Sequence, residues 1–246
     1  MITKTQNYKP VKNLLSKGST NSKTAKNSLE TFILYLAPER QNSKGVNLCP
    51  KASKGCAAAC LYTAGRGKFS NVKKSRINKS EYYISDKKTF INQLSKEIVK
   101  IAAKAIKQNK KIAIRLNGTS DQDFISIIKK YNNLDLLNGD QFKNLVFYDY
   151  TAILGKIKKY IDTSYSLTLS RKEDNENEII EALKLGGNIA AVFRDELPTT
   201  YKGFTVVNGD KSDLEMIYNK NVILGLKAKG DAKKDKSGFV IDVNLN

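Results

Sequence analysis

The sequence predicts an α/β protein in which strands and helices alternate. It reads as a complete or partial (β/α) barrel, radical-SAM-like or TIM-like, with a doubly wound sheet as the alternative. Three observations predict this. Short apolar runs alternate with amphipathic stretches along most of the chain. The runs lack the strict in-and-out alternation of a half-exposed sheet, as parallel strands covered by helices do. About seven such units follow one another, close to the count of a barrel.

The 246 residues, 40% of them hydrophobic, suffice for one large core. Residues 1–29 carry six lysines and no acid among Ser, Thr, Asn and Gly, and read as a basic, flexible N-terminal arm. Residues 30–246 form a single α/β domain, with a cysteine loop at 45–67. Its first strand is expected at Thr31–Leu36, stopped by Pro38. A helix follows over Phe90–Lys111, because Phe90, Leu94, Ile98, Ile101, Ala102, Ala105 and Ile106 recur three and four apart. Lys96, Lys100, Lys104, Lys107 and Lys111 make a basic stripe on another face of that helix. Further strands are expected at 111–116, 145–148, 165–169, 188–193, 204–207 and 221–226. Helices are expected at 123–131, 152–161, 176–185 and 213–218. Ser212 with Glu215 fits a capping box, and Gly186-Gly187 fits the stop of the third of these helices.

The formal charge of +19 favours a polyanionic partner, nucleic acid first, although a lysine-rich composition alone produces the same number. There is no histidine, which excludes imidazole bases, histidine metal ligands and every Ser-His or Cys-His pair. No stretch approaches the roughly 18 apolar residues of a membrane span, and the polar N-terminus does not read as an export signal. A reducing cytosol is expected, where three cysteines are not a disulfide framework.

The expected strand ends are polar: Arg115 to Asp121, Tyr148 to Thr151, Ser170-Arg171, Arg194-Asp195, Asn208-Gly209-Asp210 and Lys227 to Gly230. A barrel keeps its chemistry there. Asp121, Asp149 and Asp210 suit a ribose or amino group, and Arg115, Arg171, Arg194, Lys227 and Lys229 suit carboxylate or phosphate. Gly118, Gly209 and Gly230 would let a ligand approach the backbone. Ordinary turn and capping chemistry uses the same residue types.

Cys49, Cys56 and Cys60 have the spacing C-x6-C-x3-C and are the chain's only cysteines. Three thiolates can wrap one soft-metal centre and leave a position open, whereas structural zinc normally takes four protein ligands. A zinc site completed by water or carboxylate, or three plain thiols, are the other readings. Directly after them, Arg66 lies between glycines in Thr63–Gly67, followed by Lys73, Lys74, Arg76 and Lys79 in a basic stretch read as loop.

CPKASKGCAAACLYTAGRG, with IRLNGTSD, FYDYT, LTLSRKEDNE, VVNGD and GLKAKG, resembles an uncharacterised bacteriophage protein family, from about Leu34 to Val240. That resemblance implies a phage product in the cytoplasm of the infected bacterial host. More loosely, the chain resembles radical SAM enzymes, whose cysteine spacing is C-x3-C-x2-C. This second resemblance implies a 4Fe-4S cluster on Cys49, Cys56 and Cys60, with zinc as the alternative, and S-adenosylmethionine as cosubstrate. It implies cofactor contacts from Asn117, Gly118, Thr119, Ser120, Asp121, Ser170 and Arg171, to which the polar ends add Asn208, Asp210, Lys227 and Lys229. Arg66, Asp121 and Asp149 are the expected catalytic residues, and a nucleic acid or nucleotide the expected substrate. The alternative is a basic nucleic-acid-binding phage protein with a structural metal and no catalysis.

Overall fold

The computed structural model describes residues 7–20, 25 and 27–243. The strands are β1 (Leu15–Lys17), β2 (Glu30–Leu34), β3 (Ile112–Arg115), β4 (Leu145–Thr151), β5 (Ser166–Ser170), β6 (Asn188–Phe193), β7 (Thr200–Tyr201), β8 (Phe204–Asn208), β9 (Ile223–Lys227) and β10 (Val240–Ile241). The helices are α1 (Lys54–Ala58), α2 (Ser70–Ser85), α3 (Lys87–Lys107), α4 (Phe124–Asn132), α5 (Leu154–Tyr160), α6 (Glu176–Lys184) and α7 (Glu215–Tyr218).

All ten strands join one mixed sheet in the order β1-β2-β3-β4-β5-β6-β9-β8-β7, with β10 added on β6. The run from β2 to β6 is parallel and follows chain order, and β9 then slots in parallel between β6 and β8. β1 and β7 are the antiparallel edge strands, so the sheet is open. Because each parallel neighbour is added on the same side by crossovers of one hand, the connecting helices collect on one face. The core shows this. Ile112, Ile114, Phe147, Leu169, Ile189 and Ile223 share one apolar cluster with residues of α2 to α6, while Ala113, Tyr148 and Leu224 meet Leu214 and Met216 in another. A doubly wound sheet would instead place its long helices on both faces.

Propensity and capping explain the principal helices. α3 buries Phe90, Leu94, Ile98, Ile101, Ala102 and Ala105 of the stripe expected from the sequence, and Ile91 besides, while Ile106 is exposed; Asp86 caps the helix by accepting from Thr89 N at 3.3 Å. Gly186, at φ 82°, closes α6 as expected. The capping box does not form. Leu214 is the residue that caps α7, and Ser212 Oγ instead donates to Asn27 Oδ1 at 2.8 Å.

Two regions differ from the expectation. The basic stretch after the cysteines is the helix α2, whose buried face is Lys79, Ser80, Glu81, Tyr82 and Tyr83, so it lacks an apolar period. The expected flexible arm is docked over residues 8–17. Tyr8 stacks on Tyr82 at 4.5 Å, Leu14 N donates to Glu97 Oε1 at 2.8 Å, Lys79 Nζ donates to Leu14 O at 2.6 Å, and β1 pairs with β2. The remainder of 1–29 lies largely outside the described residues. Among the described residues no helix is long and apolar enough to cross a membrane.

Candidate metal centre

The cysteine loop crosses the C-terminal ends of the parallel strands and is stitched to them at both sides. On one side Leu48 O accepts from Asp121 N at 2.8 Å and from Gln122 Nε2 at 3.1 Å, and Cys49 Sγ lies 3.8 Å from Thr119 O, just after β3. On the other side Glu173, three residues past β5, takes Ser53 Oγ at 2.6 Å and Gly55 N at 2.8 Å. Ser53 in turn caps α1 by accepting from Cys56 N at 3.1 Å, which fixes the backbone of the second cysteine. Gly55 tolerates no side chain there, since a Cβ would come within 2.8 Å of both Glu173 and Phe239. Cys56 and Ala59 then pack with Val192, Ala228, Ala232, Phe239 and Val240, beyond β6 and β9.

All three cysteines are free and half-buried. Burial pushes the Cys49 thiol up to about 11 and the Cys56 thiol up to about 12, and raises Cys60 too. Smaller contributions from the neighbouring cysteines add to the rise at Cys49 and Cys56. A bound cation reverses this cost, because it favours the thiolate it ligates. As they stand, no three Cys, Asp or Glu side chains among the described residues are gathered closely enough to hold a metal ion. The donor chemistry fits a soft metal, and the loop must tighten before its three sulfurs can share one.

The other expected residues are largely engaged with one another. Asn117 Oδ1 accepts from Ser120 Oγ at 3.0 Å and Gln122 N at 2.8 Å, and Asn117 Nδ2 donates to Gln122 O at 3.0 Å. Thr119 Oγ1 donates to Leu36 O at 2.5 Å. The space beside Gly118 is filled by the Tyr35 ring, 2.5 Å from where a Cβ would sit, so this glycine accommodates the fold. Asp121 is buried and binds Lys156 Nζ at 2.6 Å, Thr151 Oγ1 at 2.9 Å and Ala152 N at 2.8 Å. Asp149 accepts from Asn117 N at 2.9 Å, Leu116 N at 3.1 Å and Tyr165 Oη at 2.8 Å. Burial pushes its carboxyl up to about 6 against the pull of Arg115 and Tyr165. Arg115 itself pairs with Asp213 at 3.0 Å inside the sheet.

Further along, Ser170 is half-buried and its carbonyl accepts from Asn175 Nδ2 at 3.0 Å. Arg171 Nη1 donates to the carbonyls of Gly238 and Phe239, so the chain's own C-terminal segment lies over that strand end. Asp210 takes Lys227 N at 2.9 Å and Lys229 Nζ at 2.7 Å, with its own N–H bonded to Asn208 Oδ1 at 2.9 Å. Arg194 binds Asp242, Lys233 O and Asp235 O. Arg66 is exposed on a 3-10 turn at Gly65–Lys68.

Sequence reasoning missed Glu173 and Lys156, and read Arg76 only as part of a basic stretch. Glu173 and Lys156 gain importance only from partners 118 and 35 residues away. Arg76 was hidden in the unrecognised α2.

Fold and site together define a mixed α/β protein with the helices α2 to α6 on one face of an open, mostly parallel sheet and a three-cysteine loop across its strand ends. A family model described as Gene product 88 matches residues 4–243, and the chain belongs to that family. This fits the phage-protein resemblance of its motifs. No curated protein and no solved structure matches the chain.

Proposed function

We propose that this is a phage-encoded iron–sulfur enzyme of radical SAM type, an open (β/α) barrel acting on a nucleic acid or nucleotide in the host cytoplasm. The observation that carries this reading is the placement of the three-cysteine loop over the C-terminal ends of parallel strands, where such folds keep their chemistry. Cys49, Cys56 and Cys60 would hold a 4Fe-4S cluster with one iron open, and the bound cluster would supply one-electron reduction of S-adenosylmethionine. The chain's own residues orient the loop, through Glu173 and Thr119, and exclude water from beneath it. No step is assigned to Asn117–Asp121, Asp149 or Asp210, whose side-chain groups already have partners. Lys51, Lys54, Arg66, Lys68, Lys227 and Lys229 are exposed around the loop and complement a phosphate backbone.

The test is metal and sulfide content after anaerobic purification or reconstitution. Iron and sulfide near four per chain in a brown protein, with reductive release of 5′-deoxyadenosine from S-adenosylmethionine, is the expected result. A colourless protein retaining stoichiometric zinc overturns it.

The mutual pairing of the strand-end side chains favours a second reading, a basic nucleic-acid-binding protein in which the metal only staples the loop. It predicts salt-sensitive nucleic-acid binding that survives replacement of all three cysteines by serine.

A further inference from the structure

The docked N-terminal segment and α2 enclose a cleft of about 370 Å³, away from the cysteine loop. Its size lies within the roughly 300–1,000 Å³ of small-ligand sites, but those are mostly apolar. This one is walled by Lys12, Asn13 and Ser16 from the segment and by Ser75, Asn78 and Lys79 from α2, with no acid in its lining. The three α2 residues fall three and four apart, so they share one face of the helix. Asn78 sets the width of the cleft: its Oδ1 accepts from Lys9 N at 2.7 Å and its Nδ2 donates to Lys9 O at 3.0 Å, as a neighbouring strand would.

Lys79 is the decisive group. It is only 6% exposed, and its Nζ donates to Leu14 O at 2.6 Å. Among the described residues it forms no ion pair. A buried ammonium has three donors and is ordinarily paired. The acid that acts on it, Glu97, is already taken up by Leu14 N, Leu15 N and Gln93 Nε2 at 2.8 to 3.0 Å. Burial pushes the Lys79 ammonium down to about 8, which still leaves it mostly charged at neutral pH. The side chains of Lys12, Asn13, Ser16 and Ser75 bond to no protein group among the described residues, so their donors are available to a ligand. Lys9 and Lys74, exposed next to Pro10 and Ser75 in the chain, add further positive charge. Cations and neutral donors without an acid select an anion with several acceptor oxygens.

We propose that the cleft between residues 10–16 and α2 is a phosphate-binding site, in which Lys79 and Lys12 meet the phosphate oxygens and Asn13, Ser16 and Ser75 complete their hydrogen bonds. The phosphate is either free or part of a nucleic-acid backbone, and the recognising chemistry is the same. The site stands apart from the metal centre and goes beyond the basic residues around the cysteine loop. Because its walls come from both the segment and α2, a bound phosphate also fastens one to the other.

The test uses the full chain at fixed ionic strength, titrated calorimetrically with inorganic phosphate and, separately, with a single-stranded oligonucleotide. Wild type is compared with Lys79→Met, which keeps an apolar stem without the charge, and with Ser75→Asp, which sets a carboxylate one turn before Lys79. Lys107→Gln, exposed on α3, is the control for phosphate, and circular dichroism melts show that each variant is folded. Wild type is expected to bind one phosphate per chain. Lys79→Met and Ser75→Asp should each weaken that binding about 10- to 100-fold, the loss of a hydrogen bond to a charged group, while Lys107→Gln leaves it unchanged. If the oligonucleotide loses affinity in the same two variants, the phosphate is that of a nucleic acid; if it does not, the site takes free phosphate. An oligonucleotide that fails to bind even wild type counts against the nucleic-acid reading alone. A folded wild type that takes up no phosphate, or an affinity unchanged in both variants, overturns the site. Should Lys79→Met not fold, Ser75→Asp decides, since its position is exposed: unchanged phosphate affinity overturns the site.

Discussion

Two corners of the strand ends carry buried charge and treat it in opposite ways. At the β3–β4 corner the carboxylates are bonded: Asp121 is held by Lys156, Thr151 and Ala152, and Asp149 by two backbone amides and Tyr165, while buried Arg115 Nε and Tyr148 Oη have no hydrogen-bond partner. At the α2 corner Arg76 keeps two buried N–H groups without a hydrogen-bond partner between the rings of Tyr35 and Tyr62. A satisfied buried network rigidifies and has nothing left to offer a ligand, whereas an unsatisfied one stores a cost that a ligand can relieve. The β3–β4 corner therefore reads as part of the frame, whereas the α2 corner leaves buried donors unsatisfied.

Breaking the closed corner should have the largest effect. Asp121→Ala leaves Lys156 buried and unpaired and should cost about 3–5 kcal/mol in urea unfolding, with Asp121→Leu/Lys156→Met recovering much of it. An Asp121→Ala protein as stable as wild type would mean that this carboxylate is free for chemistry, and the contrast would disappear. Next in size, Glu173→Ala removes the acceptor of Ser53 and Gly55 and should cost about 1–3 kcal/mol. It should also speed protease cleavage within 45–60 more than elsewhere, as the loop comes loose from β5.

Asp149 sharpens the comparison through pH. Its carboxyl is raised to about 6 by burial, so the folded state holds its proton more tightly than the unfolded state does. Its contribution to stability is present below the unfolded value of about 4 and is lost as pH rises through about 6. Asp149→Asn should flatten that fall in unfolding free energy between pH 4 and 6, though it is less stable at every pH through its poorer acceptor. An unchanged slope would place the titration elsewhere. The smallest effect is expected outside both corners: Lys100→Gln and Lys107→Gln, exposed on α3, should leave stability within about 0.5 kcal/mol. If α3 meets a phosphate backbone, each should reduce the salt slope of nucleic-acid binding by about 1.

Much of the frame was legible because it is written locally. The apolar stripe of α3, the strand runs of β2 to β6, β8 and β9, and the Gly186 stop all depend on neighbours within a few residues. α2 was not legible, because its buried residues run consecutively from Lys79 to Tyr83 and only the two tyrosines among them are apolar, which leaves no hydrophobic period to read. The docking of residues 8–17 was missed for a related reason. Leu14 and Leu15 are two apolar residues in a polar segment, and it is Glu97 and Lys79, far along the chain, that receive their backbone. The polar strand ends were legible as a set, but their use was not: the same Asp, Asn and Arg residues that could hold a ligand mostly hold one another.

By itself the sequence determined an alternating α/β chain, a strong positive charge, the absence of imidazole chemistry and three thiols confined to one loop. Tertiary structure alone decided that α2 to α6 share one face of an open sheet, that the loop lies across the strand ends, and that Asp121 and Asp149 are bonded while Arg76 keeps two buried N–H groups without a hydrogen-bond partner. The physical reason is range. Periodicity and capping act over one or two turns, whereas the partner of a buried charge is chosen by whatever the folded chain brings within about 3 Å.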